Sequence, residues 1–350
     1  MLNTCPKNAM IDPVASARFR RIATLTLAAV YFVILAGGIV RASGAGMGCP
    51  DWPTCFGQWI PPTHESQLPA DYHAIYAERG YADTHFNPVK TWTEYLNRLI
   101  GVSTGILVIL TLFNSRHFLK SDRAIFWLSL SVFLLIGFQG WLGSAVVASN
   151  LRPAMITAHM VTAFLIVCLL IYALARSQRE RLAAIDTRCL PEHFKTVLLA
   201  ALAMTLLQIA MGTQIRESVD VISSALGQSD RHLWREEFPI IFYVHRSFSA
   251  IILFTNLWLA WKIVRSLDHD NLLFRFGITL AALVVAAILT GVSLDRLGFP
   301  AFVQPIHLLL ANLIFGTQFF LFVSYRYSDQ RTAALEPQMS RREGAAFHDP

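Results

Sequence analysis

Ala154-Met-Ile-Thr-Ala-His159-Met-Val-Thr-Ala-Phe-Leu-Ile-Val-Cys168-Leu-Leu-Ile-Tyr-Ala-Leu-Ala175 contains no Asp, Glu, Lys or Arg, and its one imidazole is His159. Crossing about 30 Å of hydrocarbon as a helix takes about 20 residues. This stretch is long enough, and seven others like it occur near 22–42, 92–114, 124–147, 195–216, 239–262, 274–294 and 301–324. Composition agrees. Apolar residues make up 54% of the chain and charged residues 15%, with a mean hydropathy of +0.47. A soluble domain of this size does not carry such a surface. The expected class is an all-α integral membrane protein with eight transmembrane helices, arranged as two pseudo-symmetric four-helix bundles.

The net charge of +6 does not point to nucleic acid, because the Lys and Arg residues fall in alternate loops. With the N-terminus inside, 19 of the 29 collect on one side, Lys7, Arg18, Arg116, Arg176 and Lys262 among them, against 10 on the other. The positive-inside rule then predicts both termini in the cytoplasm. The first 21 residues carry no cleavable signal pattern and are too short and mixed for an organellar presequence. A bacterial plasma membrane is the expected home. The segments are a cytoplasmic N-terminus (1–21), a first half (22–175) with an outer loop at 43–91, a cytoplasmic linker (176–194), a second half (195–324) and a polar tail (325–350).

Of five cysteines, Cys5 and Cys189 fall on the reducing side and Cys168 lies in an apolar helix, where it packs as a small hydrophobe. Cys49 and Cys55 differ, because Cys49-Pro-Asp-Trp-Pro-Thr-Cys55 belongs to the outer loop. There an oxidising compartment permits a disulfide. Two free thiols, a metal site and a redox-active pair are the other readings.

The chain repeats itself. Gly143-Ser-Ala-Val-Val-Ala-Ser-Asn-Leu-Arg-Pro-Ala-Met-Ile-Thr-Ala-His159 aligns with Gly291-Val-Ser-Leu-Asp-Arg-Leu-Gly-Phe-Pro-Ala-Phe-Val-Gln-Pro-Ile-His307 at an offset of 148 residues. The same offset sets Asn97-Arg98 on His245-Arg246, and Gly37 to Arg41 resembles Gly212 to Arg216. Repeats of this kind place binding sites at equivalent positions in each half.

Eight of eleven histidines, at 64, 73, 85, 117, 193, 232, 269 and 348, lie in loops or tails. His159, His245 and His307 instead lie one to two turns inside the outer ends of their helices, where ionisable residues are functional candidates. His245 and His307 come from the second and fourth helices of one half, the geometry for two axial ligands of one haem. The first half keeps His159 but has Asn97 opposite His245, with Glu94 three residues earlier where the second half has Phe242. A carboxylate in apolar surroundings suits proton transfer. The competing reading is an ion pair with Arg98 one turn on. Arg41, Arg98, Arg216 and Arg246 stand at outer helix ends, where they are candidate partners for haem propionates or anchors at the membrane interface. The two halves are thus read as unequal: one holds a fixed haem that passes electrons, the other a site where chemistry occurs.

Taken together, Gly37 to Cys55, Glu94-Tyr-Leu-Asn-Arg98, Gln139-Gly-Trp-Leu-Gly143, Thr157-Ala-His159, Val244-His-Arg246 and Pro305-Ile-His307 resemble the haem A synthases. The resemblance implies oxidation of the C8 methyl of haem O, through hydroxylated intermediates, to the formyl group of haem A. It implies haem b on His245 and His307, the substrate haem on His159 with Asn97 near its iron, Glu94 as the essential carboxylate, and Cys49 and Cys55 as the outer-loop pair. It also implies work alongside a haem O synthase in cytochrome oxidase assembly, in membrane lipid, with self-association a further expectation and nucleic acid none. The departure is Asn97, where the family usually has a fourth histidine; a five-coordinate iron at this position is the favoured reading, a substitute ligand or a degenerate half being the others. A plain bis-His electron-transfer cytochrome and a haem carrier or assembly factor are the alternatives.

Overall fold

The computed structural model describes residues 13–82, 84–226 and 233–346. Cys5, Lys7, His232 and His348 lie outside the described residues. Among these, the long elements are eight helices: α1 (Pro13–Ala42), α2 (Pro88–Ser115), α3 (Arg123–Ala148), α4 (Pro153–Arg176), α5 (Phe194–Leu226), α6 (Ile240–Ser266), α7 (Leu272–Arg296) and α8 (Val303–Ala346). Each holds a segment long and apolar enough to cross a membrane, as the apolar runs predict. No strand occurs among the described residues; one isolated bridge joins Cys55 to Gln58.

Local chemistry explains where helices begin. The Asn87 side chain accepts the Lys90 N–H at 3.1 Å, and Pro88 fills the first helical position, where its missing N–H costs nothing. Asp122 caps α3 by accepting the Ala124 N–H, and α4 also opens on proline. The helix interiors offer the backbone groups their partners, so the outward faces can be apolar. Leu134, Phe254 and Leu289 are more than half exposed, which suits lipid and not water.

Three helices run beyond the apolar stretch that marks them. α1 begins at Pro13 and not near 22, α5 continues past 216 to Leu226, and α8 continues past 324 to Ala346. Hydropathy measures only the part in hydrocarbon. A helix already nucleated propagates through polar sequence until something stops it.

Backbone packing divides the chain into two compact units. The first comprises 1–173, 219–237 and 290–309; the second comprises 174–218, 238–289 and 310–350. In the first, α1 packs on α2 and α2 on α3, and the hydroxyls of Thr26 and Thr111 meet at 2.7 Å in an otherwise apolar contact. In the second, Leu198, Leu259, Leu280, Val284, Ile314 and Leu321 form the apolar centre. There Gln318 Nε2 donates to Asn256 Oδ1 at 2.7 Å, with both residues fully buried. Polar pairs between membrane helices are used this way to lock packing where burial against lipid supplies little discrimination.

The outer loop is an ordered part of the first unit. Phe56 is its centre, meeting Tyr72, Tyr76, Tyr81 and Phe86 edge-on, a favoured arrangement of ring quadrupoles. Cys49 and Cys55 are buried beside it and joined by a disulfide, which resolves the readings left open by the sequence.

Candidate functional site

Glu94 and Arg98 are one turn apart on α2 and form the ion pair that is the competing reading of Glu94: Arg98 Nη2 donates to Glu94 Oε1 at 2.6 Å. The Glu94 side chain is buried and that of Arg98 mostly so, 5% and 14% exposed. What the helix spacing does not reveal is the rest of the arrangement. Glu94 Oε2 accepts the Cys49 N–H at 2.7 Å. Arg98 Nη1 donates to the carbonyls of Asp51 and Thr54 at 2.8 and 2.9 Å, and Nη2 also donates to that of Cys49 at 3.0 Å. The disulfide ring therefore sits over the ion pair with its backbone turned toward both charges.

Neighbouring bonds hold the ring from every side. Asp51 accepts the N–H groups of Phe56 and Gly57 at 2.6 and 2.8 Å. Thr91 donates its hydroxyl to the Gly48 carbonyl at 2.9 Å, and the Tyr81 hydroxyl donates to that of Met47 at 2.8 Å. Gly48 lies so close to the Lys90 carbonyl that any Cβ would collide with backbone, which is why this turn can press onto α2. The same burial holds the Tyr81 phenol protonated well above its ordinary range, with the Glu94 charge adding to the effect.

Each of the three expected histidines stands within two turns of the start of its helix: six residues after Pro153, five after Ile240 and four after Val303. Their surroundings share a pattern. Gln139 Nε2 on α3 donates to the His159 carbonyl at 2.9 Å, and a Cβ built on Gly143 would lie 3.6 Å from His159 Cε1. Gln208 Nε2 on α5 donates to the His245 carbonyl at 3.0 Å, and the corresponding distance from Gly212 to His245 Cε1 is 3.5 Å. A Cβ built on Gly291 of α7 would lie 3.3 Å from His307 Cε1, and Thr290 Oγ1 bonds His307 Nδ1 at 2.9 Å. His159 Nδ1 and Asn97 Oδ1 are buried without a hydrogen-bond partner among the described residues.

The first unit holds Glu94, Asn97, Arg98, His159 and His307, and the second holds His245. Arg41 pairs with Asp220 at 2.9 Å. Arg98 is committed to Glu94 and the ring, Arg246 lies over the Tyr243 ring at 5.5 Å, and Arg216 follows Gly212 by one turn on α5. Sequence reasoning missed Gln208 and Thr290 and assigned Gln139 no role. The available signal was the recurrence of Gln-x-x-x-Gly at 139–143 and 208–212, each on the helix preceding a histidine.

These imidazoles fit a haem better than a bare metal ion. Among the described residues no three His, Cys, Asp or Glu side chains gather closely enough to hold a metal. A haem iron needs only one or two protein nitrogens, since the macrocycle supplies the other four. The Thr290 bond occupies His307 Nδ1 and so fixes the ring, as outer-shell bonds to ligating histidines commonly do.

Known proteins with similar sequences point the same way. A heme A synthase of Shewanella oneidensis is 34% identical over 188 residues, 54% of each chain, so the chain spans about half the length of that relative. A heme A synthase of Alkalihalophilus pseudofirmus is 25% identical over 312 residues, covering 85% of this chain and 94% of the relative. A third, of Halalkalibacterium halodurans, is 22% identical over 303 residues, 84% of this chain and 92% of its own. The model of the cytochrome oxidase assembly protein family, COX15-CtaA, matches residues 20–319, which takes in the first seven apolar segments, most of the eighth and the ring, and the chain belongs to that family.

Proposed function

We propose that this chain is a haem A synthase: a multi-pass membrane oxidoreductase that converts haem O to haem A for cytochrome oxidase assembly. The observation that carries the reading is the buried Glu94, docked beneath the outer-loop ring in a protein of this family. Converting a methyl to a formyl group removes four electrons and releases protons, so the substrate site needs a carboxylate sheltered from bulk water.

In this reading His159 binds the iron of the substrate haem, and Asn97, an amide with no affinity for iron comparable to imidazole, leaves that iron five-coordinate. His245 and His307 would hold haem b, which would supply electron transfer. The pairing of these two histidines rests on the 148-residue repeat, which sets His307 on His159 and His245 on Asn97. Glu94 accepts protons at the oxygens now bonded to Cys49 and Arg98. The ring covers that carboxylate and excludes water. Arg216 and Arg246 hold propionates, and Arg41 and Arg98 do so only by leaving Asp220 and the ring carbonyls. The ring faces the outer side of a bacterial plasma membrane with both termini in the cytoplasm, and haem O synthase delivers the substrate.

The test is to express the full chain with a haem O synthase and identify the extracted haems by mass. Haem A is expected from the parent and absent from Glu94→Ala. Haem b alone from the parent would overturn the assignment and leave an electron-transfer cytochrome.

A further inference from the structure

Four helix pairs follow one another along the chain, and three of them carry the same local arrangement. A glycine on the earlier helix faces the Cε1 edge of a histidine on the later one: Gly143 with His159, Gly212 with His245, Gly291 with His307. In two of the three, a glutamine one turn before the glycine donates its amide to the backbone carbonyl of that same histidine. In the third that position is Ala287, and Thr290 bonds the ring itself. The fourth pair acts as an internal control. Gly37 holds the matching place on α1, but α2 carries Asn97 and not histidine, and no atom lies within 4 Å of a Cβ built on Gly37. The glycine meets a ring only where there is a ring to meet.

We propose that these residues form a seat for each imidazole, with Gln139, Gln208 and Thr290 as tethers and Gly143, Gly212 and Gly291 as the floor, and that the seat sets the ring's orientation toward the haem. The physical reasons are separate for the two parts. An imidazole next to its own helix has two soft torsions, and a side chain on the facing helix would occupy the space that one rotamer needs. Glycine leaves that space: a Cβ added at Gly143 or Gly212 would stand in ordinary contact with the ring carbon at 3.6 or 3.5 Å, one at Gly291 would be tight at 3.3 Å, and a longer side chain would press on the ring. The histidine carbonyl has a second lone pair to offer beyond its helical bond. A glutamine amide bound there fixes the height of one helix against the other at the ligand residue. These are positioning residues, acting through the histidines, and the inference rests on the reading that the histidines ligate haem.

The experiment uses the full chain purified with its haem, with ferric electron paramagnetic resonance and reduced optical spectra as readouts. In a bis-imidazole haem the largest g value follows the angle between ring planes. Gly212→Val and Gln208→Leu are expected to shift that g value and the midpoint potential while the haem stays low-spin and stoichiometric. Gly105→Val is the control, because nothing lies within 4 Å of a Cβ at Gly105, and its spectra are expected to match the parent. If Gly212→Val fails to accumulate, Gln208→Leu together with Gly291→Ala, whose Cβ would stand only 3.3 Å from His307 Cε1, decides the matter. Unchanged spectra in those variants, with the signal abolished by His245→Ala, would overturn the seat and leave the ligand assignment standing. A low-spin signal that survives His245→Ala would overturn the ligand assignment itself.

Discussion

Replacing Arg98 by methionine keeps most of the side chain's length and apolar stem but removes the guanidinium. In the parent that group makes four bonds, one to Glu94 Oε1 and three to the carbonyls of Cys49, Asp51 and Thr54. Breaking a buried ion pair by deleting one partner costs about 3–5 kcal/mol, because the other charge is left uncompensated. The buried value applies, since the two side chains are only 14% and 5% exposed and water screens the pair little. The lower end is the better estimate: the freed ring carbonyls can reach water as the loop lifts, and Glu94 keeps the Cys49 N–H. A loss of about 3 kcal/mol multiplies the opening equilibrium of the ring by roughly 100 to 200. Amide hydrogen exchange followed by mass spectrometry reads this directly on peptides covering 47–57. Exchange there is expected to accelerate by about that factor in Arg98→Met, with helix α4 unchanged. In the Glu94→Gln/Arg98→Met double variant the acceleration is expected to be smaller than in Arg98→Met alone, because no uncompensated charge remains. Exchange of 47–57 within threefold of the parent in Arg98→Met would refute the claim that the ion pair docks the ring.

Two other outcomes follow from the same geometry. Tyr72, Tyr76 and Tyr81 are all held protonated above the ordinary phenol value, first by burial and then by nearby carboxylates, Glu65, Asp51 and Glu94 respectively. A raised phenol pKa stabilises the fold below the unfolded value of about 10 and is lost as pH climbs through the folded values; phenolate absorbance is expected to show a late-titrating fraction that shrinks in Tyr81→Phe, and titration of every tyrosine as a free phenol would contradict it. Asn97→His would restore an imidazole at the position that the 148-residue repeat matches to His245; after loading with hemin, the high-spin fraction is expected to fall relative to the parent, and an unchanged spin state would count against a five-coordinate substrate iron.

Much of this protein is legible in its sequence, for reasons that are local. Membrane crossing depends on the uninterrupted apolar length of segments such as 154–175, and no tertiary contact is needed to read it. The 148-residue offset that pairs His159 with His307 and Asn97 with His245 is likewise a property of the string. So is the Glu94–Arg98 pair, because residues four apart on a helix are neighbours wherever the helix goes. Tertiary structure decided what lies across from these residues. The ends of α1, α5 and α8 escaped hydropathy because helix propagation does not stop where lipid does. The capture of the Cys49–Cys55 ring by Glu94 and Arg98 joins residues more than 40 positions apart through backbone carbonyls and an amide, groups every residue has and no sequence motif marks. The same holds for the glycine opposite each imidazole. A glycine in a membrane helix is unremarkable until the neighbouring helix brings a ring to within van der Waals distance of it, and only the packed structure supplies that neighbour.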